Sequence, residues 1–492
     1  MTAQRPLLTS FWLLGGALTL LRIFILVASD ANLGPDESQY WFWSRDLVFG
    51  YFSKPPMIAW AIAATTALFG NAEWAVRLPA PLFHFAAAAF IYLSAKLLYD
   101  RRIAFWAGAA WLTLPGVILS SFLMTTDAPL LFFWSGALYF LLRIASANSA
   151  SSRDFLLLGA MIGLGLLSKY AMAYFLVSLG VAVLMDPLLR KKLMRKNLAF
   201  TGLAAAALIA PNIWWNGQHD FQTLAHTAAN ANWGADIFKP LKLLSFIMGQ
   251  FAVAGVIPFA MLLIIAGRRK FDITGKERVN PEIILLVFAL TPLVIVALQA
   301  FISRAHANWA AAAYPATIIL ITAFLFRRDK AWLAKASAGF HAMLFVLFSI
   351  GVMNFSLIDK LGLSRAVKEI RGWQPQTGAI AARAPGYDAI VIDDRGLIGE
   401  MLYYQKEDGV EFVAIDPNAH IDTHYEAFKA FNPERHKRIL FVTTRDDAAH
   451  VDYRFKNVTP LGPQRVDLGN GVSRTYHLFD ISGYYGPGAS AR

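Results

Sequence analysis

Long apolar segments recur through the first 358 residues and constrain the fold more than any other feature. A hydrocarbon core about 30 Å thick requires roughly 20 helical residues per crossing, and about eleven segments approach that length. The predicted spans are 9–29, 76–98, 103–122, 127–145, 154–168, 170–185, 198–215, 241–266, 282–302, 308–326 and 332–357. With 57% hydrophobic residues and a mean hydropathy of +0.46, the sequence predicts an α-helical polytopic membrane protein.

Basic residues cluster in alternate loops between these spans. Counted from a cytoplasmic N-terminus, the inner loops receive Arg101, Arg102, Arg190, Lys191, Lys192, Arg195, Lys196, Arg268, Arg269, Lys270, Arg327, Arg328 and Lys330. This is the positive-inside pattern, so the net charge of +12 indicates topology and contact with anionic membrane lipids. No nucleic-acid partner is predicted. The chain has no cysteine, which excludes disulfides and thiolate metal sites.

The same topology places several polar clusters on the outer side. These clusters are residues 36–54, 125–127, 168–170, 216–236 and 303–306. The charge rule assigned the sides without reference to chemistry, yet the clusters converge on one face. A transporter is expected to hold ionisable groups near the middle of its helices and often shows an inverted repeat, and neither is visible here. We therefore predict an externally facing site at membrane depth.

The first outer loop, residues 30–75, carries the densest set of these polar groups. Asp36 and Glu37 come soon after the first span, and Lys54 precedes two prolines. Two carboxylates and a lysine are costly to bring near lipid, so we interpret this loop as catalytic. An ordinary solvated loop is the structural alternative, but it requires neither the surrounding aromatic residues nor a rigid Lys-Pro-Pro sequence.

Residues 359–492 have the pattern of a separate domain that follows the membrane domain, residues 1–358. The predicted strands are 389–393, 410–415 and 438–442, and the predicted helices between them are 396–405 and 424–431. This βαβαβ alternation indicates a small α/β domain on the periplasmic side. The domain lacks a glycine-rich phosphate loop, so a lid or acceptor-docking module is favoured over nucleotide binding. A stabilising appendage is the structural alternative.

Short motifs in the membrane domain point to a family. They are Asp36-Glu37, Tyr51-Phe52-Ser53-Lys54-Pro55-Pro56, Thr126-Asp127-Ala128-Pro129 and Leu167-Ser168-Lys169. Together they resemble the membrane glycosyltransferases of the C-type (GT-C) fold, within the aminoarabinose transferase and protein mannosyltransferase group. Aminoarabinose transferases typically carry a glutamate where this chain has Ser53. Residues 40–44 look more like the bacterial enzymes that put galacturonic acid on lipopolysaccharide.

The resemblance implies an inverting transferase that uses a sugar linked to polyprenyl phosphate. A phosphate leaving group departs without protonation when its charge is stabilised, so one base for the acceptor hydroxyl is sufficient. Asp36 matches the family's catalytic aspartate, and Glu37 is the second candidate. Asp127 is a candidate for orienting the acceptor or Asp36, and a helix cap is its structural alternative.

The leaving phosphate requires cations on the same face of the membrane. Lys54 is the first candidate because two prolines restrict the backbone beside it, and Lys169 follows because it lies between two short hydrophobic segments. The further candidates for binding the donor phosphate are Arg304, His306 and Tyr51. Arg304 at a helix end also suits simple snorkelling toward lipid headgroups.

No obligatory cofactor or metal is predicted. His219, Asp220 and His226 have a spacing that could serve a metal, but isolated loop histidines are more often solvated or hydrogen-bonded. A divalent cation between Asp36 and Asp127 stays open as an alternative.

These observations predict a multi-pass glycosyltransferase of the bacterial inner membrane whose active site faces the periplasm. The expected donor is a polyprenyl-phosphate-linked sugar, and the expected acceptor is lipid A, a core saccharide or another envelope molecule. Protein O-mannosylation is the alternative reaction. A lipid-linked sugar flippase or transporter is the alternative from another class.

Reporter fusions test the orientation on which these roles depend. A fusion of alkaline phosphatase after Ala381 should be active and one near Lys192 inactive, because this reporter requires the oxidising side to form its disulfides. The reverse pattern would place Asp36, Lys54 and Asp127 in the cytoplasm, where nucleotide sugars are available, and would contradict a polyprenyl-linked donor.

Overall fold

The computed structural model describes residues 5–194, 197–231, 238–268, 278–407, 409–416, 418 and 421–486. Several residues named above lie outside these ranges, namely Arg195, Lys196, Arg269, Lys270 and residues 232–236. The first half of the membrane part contains α1 (Arg5–Ala28), α2 (Pro35–Trp43), α3 (Met57–Phe69), α4 (Glu73–Arg77), α5 (Pro79–Leu98), α6 (Arg101–Thr113), α7 (Pro115–Ser120), α8 (Asp127–Ser146) and α9 (Ser152–Ser168).

The second half of the membrane part continues the helical bundle. It contains α10 (Ala173–Met185), α11 (Pro187–Leu193), α12 (Leu198–Gln218), α13 (Gln222–Ala229), α14 (Pro240–Ala254), α15 (Val256–Arg268), α16 (Pro281–Ile302), α17 (Tyr314–Phe326) and α18 (Ala331–Met353). Two 3₁₀ helices, Tyr170–Met172 and Ala307–Ala313, precede α10 and α17. The structure therefore confirms a mostly helical, polytopic architecture.

By length and composition alone, the described helices give fewer membrane crossings than the eleven predicted. Within the described ranges, seven helices are long and apolar enough to span a membrane, and two bent helix pairs raise this number to nine. The remaining predicted spans correspond to α9, with 17 residues, and to α6 with α7, which Pro115 separates. The count of eleven stays a prediction.

The predicted span 241–266 is not a single straight helix. The chain breaks at Gly255, and α14 and α15 are bent by 119° relative to each other. Gly255 has φ +86°, a left-handed conformation that favours glycine, and a Cβ there would lie 2.1 Å from Nε2 of His341. The close approach of α18 thus requires glycine at the bend.

The first outer loop is folded into helices and packs against the rest of the protein. After α2, the chain turns through residues 44–56 and enters α3, and the Tyr51 ring stacks on Trp43 with 4.8 Å between centroids. Both aromatic residues are buried in one cluster with Leu33, Tyr40 and neighbouring apolar side chains. This cluster fixes the loop against the outer ends of the membrane helices.

A buried ion pair fastens α2 to α4. Arg77 Nη2 lies 2.7 Å from Glu37 Oε2, and the side chains are only 2% and 4% exposed. Arg77 also donates to the carbonyl oxygens of Ala31 and Asn32, at 2.9 and 2.6 Å. Because a buried ion pair is stable only when its remaining hydrogen-bonding groups are satisfied, these contacts matter as much as the pair itself.

The C-terminal part is an α/β unit, as predicted. Its helices are α19 (Phe355–Lys360), α20 (Trp373–Ala381), α21 (Arg395–Tyr404) and α22 (His424–Phe428), and its strands are β1 (Ala389–Ile392), β2 (Glu411–Ala414), β3 (Arg438–Thr443), β4 (Phe455–Asp467) and β5 (Ser473–Tyr484). The sheet order is β2-β1-β3-β5-β4, with β1 parallel to β2 and β3. The three predicted strands and two predicted helices are all present.

The antiparallel hairpin of β4 and β5 was not predicted from the sequence. Strand β4 is mostly exposed and contains Pro460, Gly462 and Pro463, with a register shift between Pro460 and Gly462. Proline and glycine are depleted in regular strands, so a local pattern search passes over this segment. Pairing with β5, whose buried residues pack on both faces of the sheet, holds β4 in place.

Helix α21 of the C-terminal domain packs directly on α2 of the first outer loop. A Cβ on Gly399 would lie 2.8 Å from Ser38 Oγ, which shows how closely the two helices approach. Glu400, one residue further along α21, is fully buried, and burial raises its pKa well above the ordinary value. The C-terminal domain and the first outer loop therefore lie on the same side of the helical bundle.

Removing Arg77 should destabilise the protein strongly. Arg77→Ala leaves the Glu37 carboxylate buried without its cation, which typically costs about 3–5 kcal/mol of unfolding free energy. A thermal melt of the purified protein in detergent measures the effect as a lowered midpoint. Arg438→Ala is the matched control because Arg438 pairs with Asp480 in an exposed position. Equal midpoints for the two variants would contradict a central role for the buried pair.

Candidate active site

The adjacent carboxylates Asp36 and Glu37 point in different directions from the first turn of α2. Successive residues of an α-helix are rotated by about 100°, so neighbours cannot share one environment. Glu37 is buried, whereas the Asp36 side chain is 60% exposed. Pro35 at the first helical position sets the start of α2, and both carboxylates benefit from the positive end of the helix dipole.

Every acceptor position of Glu37 that faces the protein is occupied. Oε1 accepts from Arg77 Nε at 2.9 Å and from the backbone N–H of Met124 at 2.8 Å. Oε2 accepts from Arg77 Nη2 at 2.7 Å and from the backbone N–H of Gly34 at 3.0 Å. Glu37 thus links the start of α2 to α4 and to the loop before α8.

Asp127 lies at the start of α8 and is held by two side chains from distant elements. Oδ1 accepts from Lys169 Nζ at 2.7 Å, and Oδ2 accepts from Asn308 Nδ2 at 2.7 Å. Asp127 is 6% exposed, and its carboxylate is used for these contacts instead of capping its own helix. Asp127 and Lys169, two separately predicted site residues, are therefore brought together, and Asn308 joins them.

Lys54 lies in the same charged cluster. Burial lowers its pKa, and the neighbouring Lys169 ammonium lowers it further. The carboxylates of Asp36 and Asp127 act in the opposite direction. Among the described residues, the Lys54 ammonium forms no salt bridge, so it is the cation of this cluster that is free to take an anion.

Arg395 of the C-terminal domain completes the cluster. Its Nη2 donates to Asp36 Oδ1 at 2.8 Å, and its Nη1 donates to Gln39 Oε1 at 2.7 Å. Tyr40 is also fully buried beside the cluster, where burial and then the Asp36 charge raise its pKa. The cluster therefore contains two carboxylates, Asp36 and Asp127, and the cations Lys54, Lys169 and Arg395.

An apolar cavity of about 180 Å³ borders this cluster at Asp127. Its other lining residues include Leu114, Val117, Leu131, Val253, Asn308 and Tyr314. The cavity lies between α6, α7, α8, α14 and the 3₁₀ helix before α17. A charged cluster that opens onto an apolar cavity suits an amphipathic ligand with an anionic group at one end.

The chain is similar in sequence to known glycosyltransferases. The family model of dolichyl-phosphate-mannose-protein mannosyltransferases matches residues 53–215. The lipid A galacturonosyltransferase RgtD of Rhizobium johnstonii is 34% identical over 430 residues, which cover 86% of this chain and 89% of that protein. The chain belongs to the family of this galacturonosyltransferase.

Two further comparisons agree with the family and the fold. The lipopolysaccharide core galacturonosyltransferase RgtA of Rhizobium johnstonii is 29% identical over 266 residues, which cover 52% of this chain and 53% of that protein. The crystal structure of ArnT from Cupriavidus metallidurans bound to undecaprenyl phosphate has a TM-score of 0.65 at 18% identity and covers 97% of this chain and 99% of that chain. The predicted C-type fold and glycosyltransferase class are confirmed, and the transporter alternative is set aside.

The Tyr51 hydroxyl forms hydrogen bonds within its own loop and not with the charged cluster. It lies 3.0 Å from the carbonyl oxygen of Trp43 and 2.8 Å from that of Asp46. The residue is 3% exposed, and burial raises its pKa to a value beyond the ordinary range of tyrosine. Its position supports a structural role in place of the predicted contact with phosphate.

Arg304 and His306 lie on the segment between α16 and the following 3₁₀ helix. Both side chains are exposed, and the His306 ring packs edge-on against Trp309 with 5.3 Å between centroids. Neither contacts Asp36 or Asp127 in the described structure. Asn308 on the same segment does reach the cluster, so the sequence placed the segment correctly but selected different residues on it.

The histidines considered as metal ligands make local contacts. His219 stacks on Trp215 with 4.0 Å between centroids, and His226 Nδ1 lies 3.1 Å from Asn230 Nδ2. Within the described ranges, no group of three or more His, Asp and Glu side chains is arranged to hold a metal ion.

Asn308 and Arg395 were missed by sequence reasoning. Asn308 follows a polar run whose charged members attracted attention first. Arg395 comes directly after Asp393 and Asp394 at the end of β1, and polar residues at the carboxyl ends of parallel strands are the usual place for ligand contacts. That signal was present, but nothing local indicated that the strand end faces the first outer loop.

Proposed function

We propose that this enzyme transfers galacturonic acid from a polyprenyl-phosphate donor to lipid A or a core saccharide, at the periplasmic face of the inner membrane. The observation that carries the proposal is the cluster of two carboxylates and three cations beside an apolar cavity. The named relatives act on lipid A and the lipopolysaccharide core, which supports the acceptor and the sugar.

The reaction is a single displacement at the anomeric carbon. The acceptor hydroxyl oxygen forms a bond to that carbon while the bond from carbon to phosphate oxygen breaks. The electron pair of the broken bond leaves with polyprenyl phosphate, and the hydroxyl proton passes to the base. Attack from the face opposite the leaving group inverts the anomeric configuration.

Asp36 is the base in this proposal. Its side chain is 60% exposed, and only one of its oxygens, Oδ1, accepts a hydrogen bond among the described contacts. A general base must reach the acceptor proton, and an exposed oxygen at the start of α2 satisfies that requirement. Glu37 does not, because it is buried and already accepts four hydrogen bonds.

Lys54 and Lys169 stabilise the phosphate. Lys54 lacks a salt-bridge partner in the described structure, and its pKa is lowered by burial and by the charge of Lys169. An anion between the two lysines offsets both the burial of the Lys54 charge and its repulsion by Lys169. Lys169 also anchors Asp127, which lies at the edge of the apolar cavity. The polyprenyl chain is assigned to that cavity, with its phosphate toward the lysines.

The remaining predicted residues have supporting positions. Arg304 and His306 stay candidates for headgroup contacts because their exposed segment also carries Asn308. Asp36 and Asp127 are each paired with a cationic side chain, and a divalent cation between them stays an untested alternative. Protein O-mannosylation is less favoured, since the relative that matches most of the chain acts on lipid A.

The charge distribution supports the periplasmic orientation, and the contact between the domains extends it to the C-terminal domain. The basic clusters lie in the loops opposite the first outer loop, as the positive-inside rule requires. The packing of α21 on α2 places the C-terminal domain on the same side as Asp36. Polyprenyl-linked sugars are the donors expected on a side where nucleotide sugars are absent.

Lys54→Ala should weaken use of the donor. Loss of a charge-assisted bond to a phosphate oxygen costs roughly 1.5–3 kcal/mol, which appears as a lower kcat/KM in a donor titration with purified enzyme. Lys330→Ala is the matched control because Lys330 is exposed at the start of α18, on the opposite side of the membrane in the predicted topology. An unchanged titration for Lys54→Ala would show that the phosphate lies elsewhere.

A complementation experiment tests the function and the base together. Cells that lack the gene should lose a mass increment of one hexuronic acid from lipid A or core, and the intact gene should restore it. Asp36→Asn keeps the shape of the side chain but removes the proton acceptor, so turnover should fall by a factor on the order of 100 or more. Mass spectrometry of lipid A, core and envelope proteins measures the product.

Two outcomes of this experiment would contradict the proposal. A sugar lost from envelope proteins, with lipid A and core unchanged, would favour O-mannosylation or a related protein modification. Near-normal product with Asp36→Asn would remove Asp36 from the mechanism and leave the acceptor assignment intact.

A further inference from the structure

Arg395 lies at the junction of the two domains, in the first turn of α21, and that turn is anchored by two contacts. Asp394 Oδ1 caps α21 by accepting from the backbone N–H of Leu397 at 2.7 Å. The same oxygen lies 3.0 Å from the hydroxyl of Tyr476 on β5. The first turn of α21 is therefore tied to the sheet, and Arg395 projects from a fixed base.

The contact between α21 and α2 is close enough to hold the domains together without Arg395. A Cβ on Gly396 would lie 3.3 Å from Cγ of Pro35, and one on Gly399 would lie 2.8 Å from both Ser38 Oγ and the Tyr425 hydroxyl. Such distances leave no room for larger residues on this face of α21. The Arg395 side chain is thus available for a role other than anchoring.

The salt bridge between Arg395 and Asp36 is accessible to substrate. The two side chains are 43% and 60% exposed, and ion pairs in such positions are weakly held. The guanidinium also donates to Gln39, about one turn along α2, so it bridges two residues of that helix. A planar guanidinium in this position can exchange one carboxylate for another with little cost.

The charge balance of the cluster leaves Arg395 available to bind a second anion. A polyprenyl phosphodiester carries one negative charge, which Lys54 can match, while Lys169 pairs with Asp127. A donor sugar with a carboxylate brings one further negative charge. Arg395 is the remaining cation of the cluster, and it is paired with Asp36.

We propose that Arg395 is a specificity-determining residue that binds the carboxylate of a uronic acid donor and in doing so releases Asp36 to act as the base. This inference rests on the proposed function. The sugar carboxylate accepts the two parallel hydrogen bonds that a guanidinium offers, and Asp36 loses its cation when the acceptor hydroxyl arrives. A neutral sugar leaves the pair between Arg395 and Asp36 closed, so it is a poor substrate.

The experiment compares two donors that differ in one charge. One is a polyprenyl-phosphate-linked galacturonic acid, and the other is its C6 methyl ester, which has nearly the same size but no carboxylate. Full-length enzyme in detergent is assayed with lipid A as acceptor, and kcat/KM is determined for each donor. The wild type should prefer the acid, and Arg395→Gln should reduce the ratio of acid to ester kcat/KM roughly 10- to 100-fold.

Two variants accompany Arg395→Gln. Arg395→Lys keeps the positive charge but lacks the paired N–H donors of a guanidinium. Its ratio of acid to ester kcat/KM should therefore lie between those of the wild type and the glutamine variant. Arg438→Gln removes an arginine from another ion pair with an aspartate in the same domain, Asp480, and should leave the ratio unchanged.

Each other outcome overturns the inference. Equal losses on both donors in Arg395→Gln, with a lowered melting temperature, would make Arg395 a link between domains only. An unchanged ratio in Arg395→Gln would show that the carboxylate is bound elsewhere. A wild type that is folded but inactive on both donors would instead overturn the proposed function, and the inference with it.

Discussion

The buried ion pair of Glu37 and Arg77 is the interaction on which the rest of the site depends. It fixes the first turn of α2 against α4, and the hydrogen bond from the Met124 backbone ties in the loop that leads to Asp127. Transfer of two charges out of water costs several kcal/mol per ion unless their other groups are satisfied. Here the carbonyl oxygens of Ala31 and Asn32 satisfy the guanidinium.

This pair also explains why two neighbouring carboxylates have different fates. Once Glu37 is directed inward, helical geometry turns Asp36 toward the outer face, where Arg395 pairs with it. One carboxylate thereby supplies the rigidity that a reactive group requires, and its neighbour keeps an accessible oxygen. The same division recurs in the cations, because Lys169 is held by Asp127 whereas Lys54 has no salt-bridge partner in the described structure.

The sequence predicted features that depend on local pattern and missed those that depend on distant contacts. Apolar runs gave the helices and the three core strands, and the topology rule brought Asp127 and Lys169 to one face. Neither signal could reveal the contact between Asp36 and Arg395, which are 359 residues apart in the sequence. The sequence also did not reveal that the Tyr51 hydroxyl donates to the carbonyl oxygens of Trp43 and Asp46 within its own loop, and its role at the phosphate stays a prediction.

In the proposed mechanism, the chemistry of the leaving group is separate from recognition of the sugar. Lys54, Lys169 and Asp127 belong to the membrane domain, and Asp127, which pairs with Lys169, lines the apolar cavity. The proposed phosphate site therefore lies within the membrane domain. Arg395 comes from the C-terminal domain, at the carboxyl end of a parallel strand, where side chains can change without disturbing the core of the sheet. On the proposed roles, a change of sugar would require substitution at the domain junction and would leave the phosphate site intact.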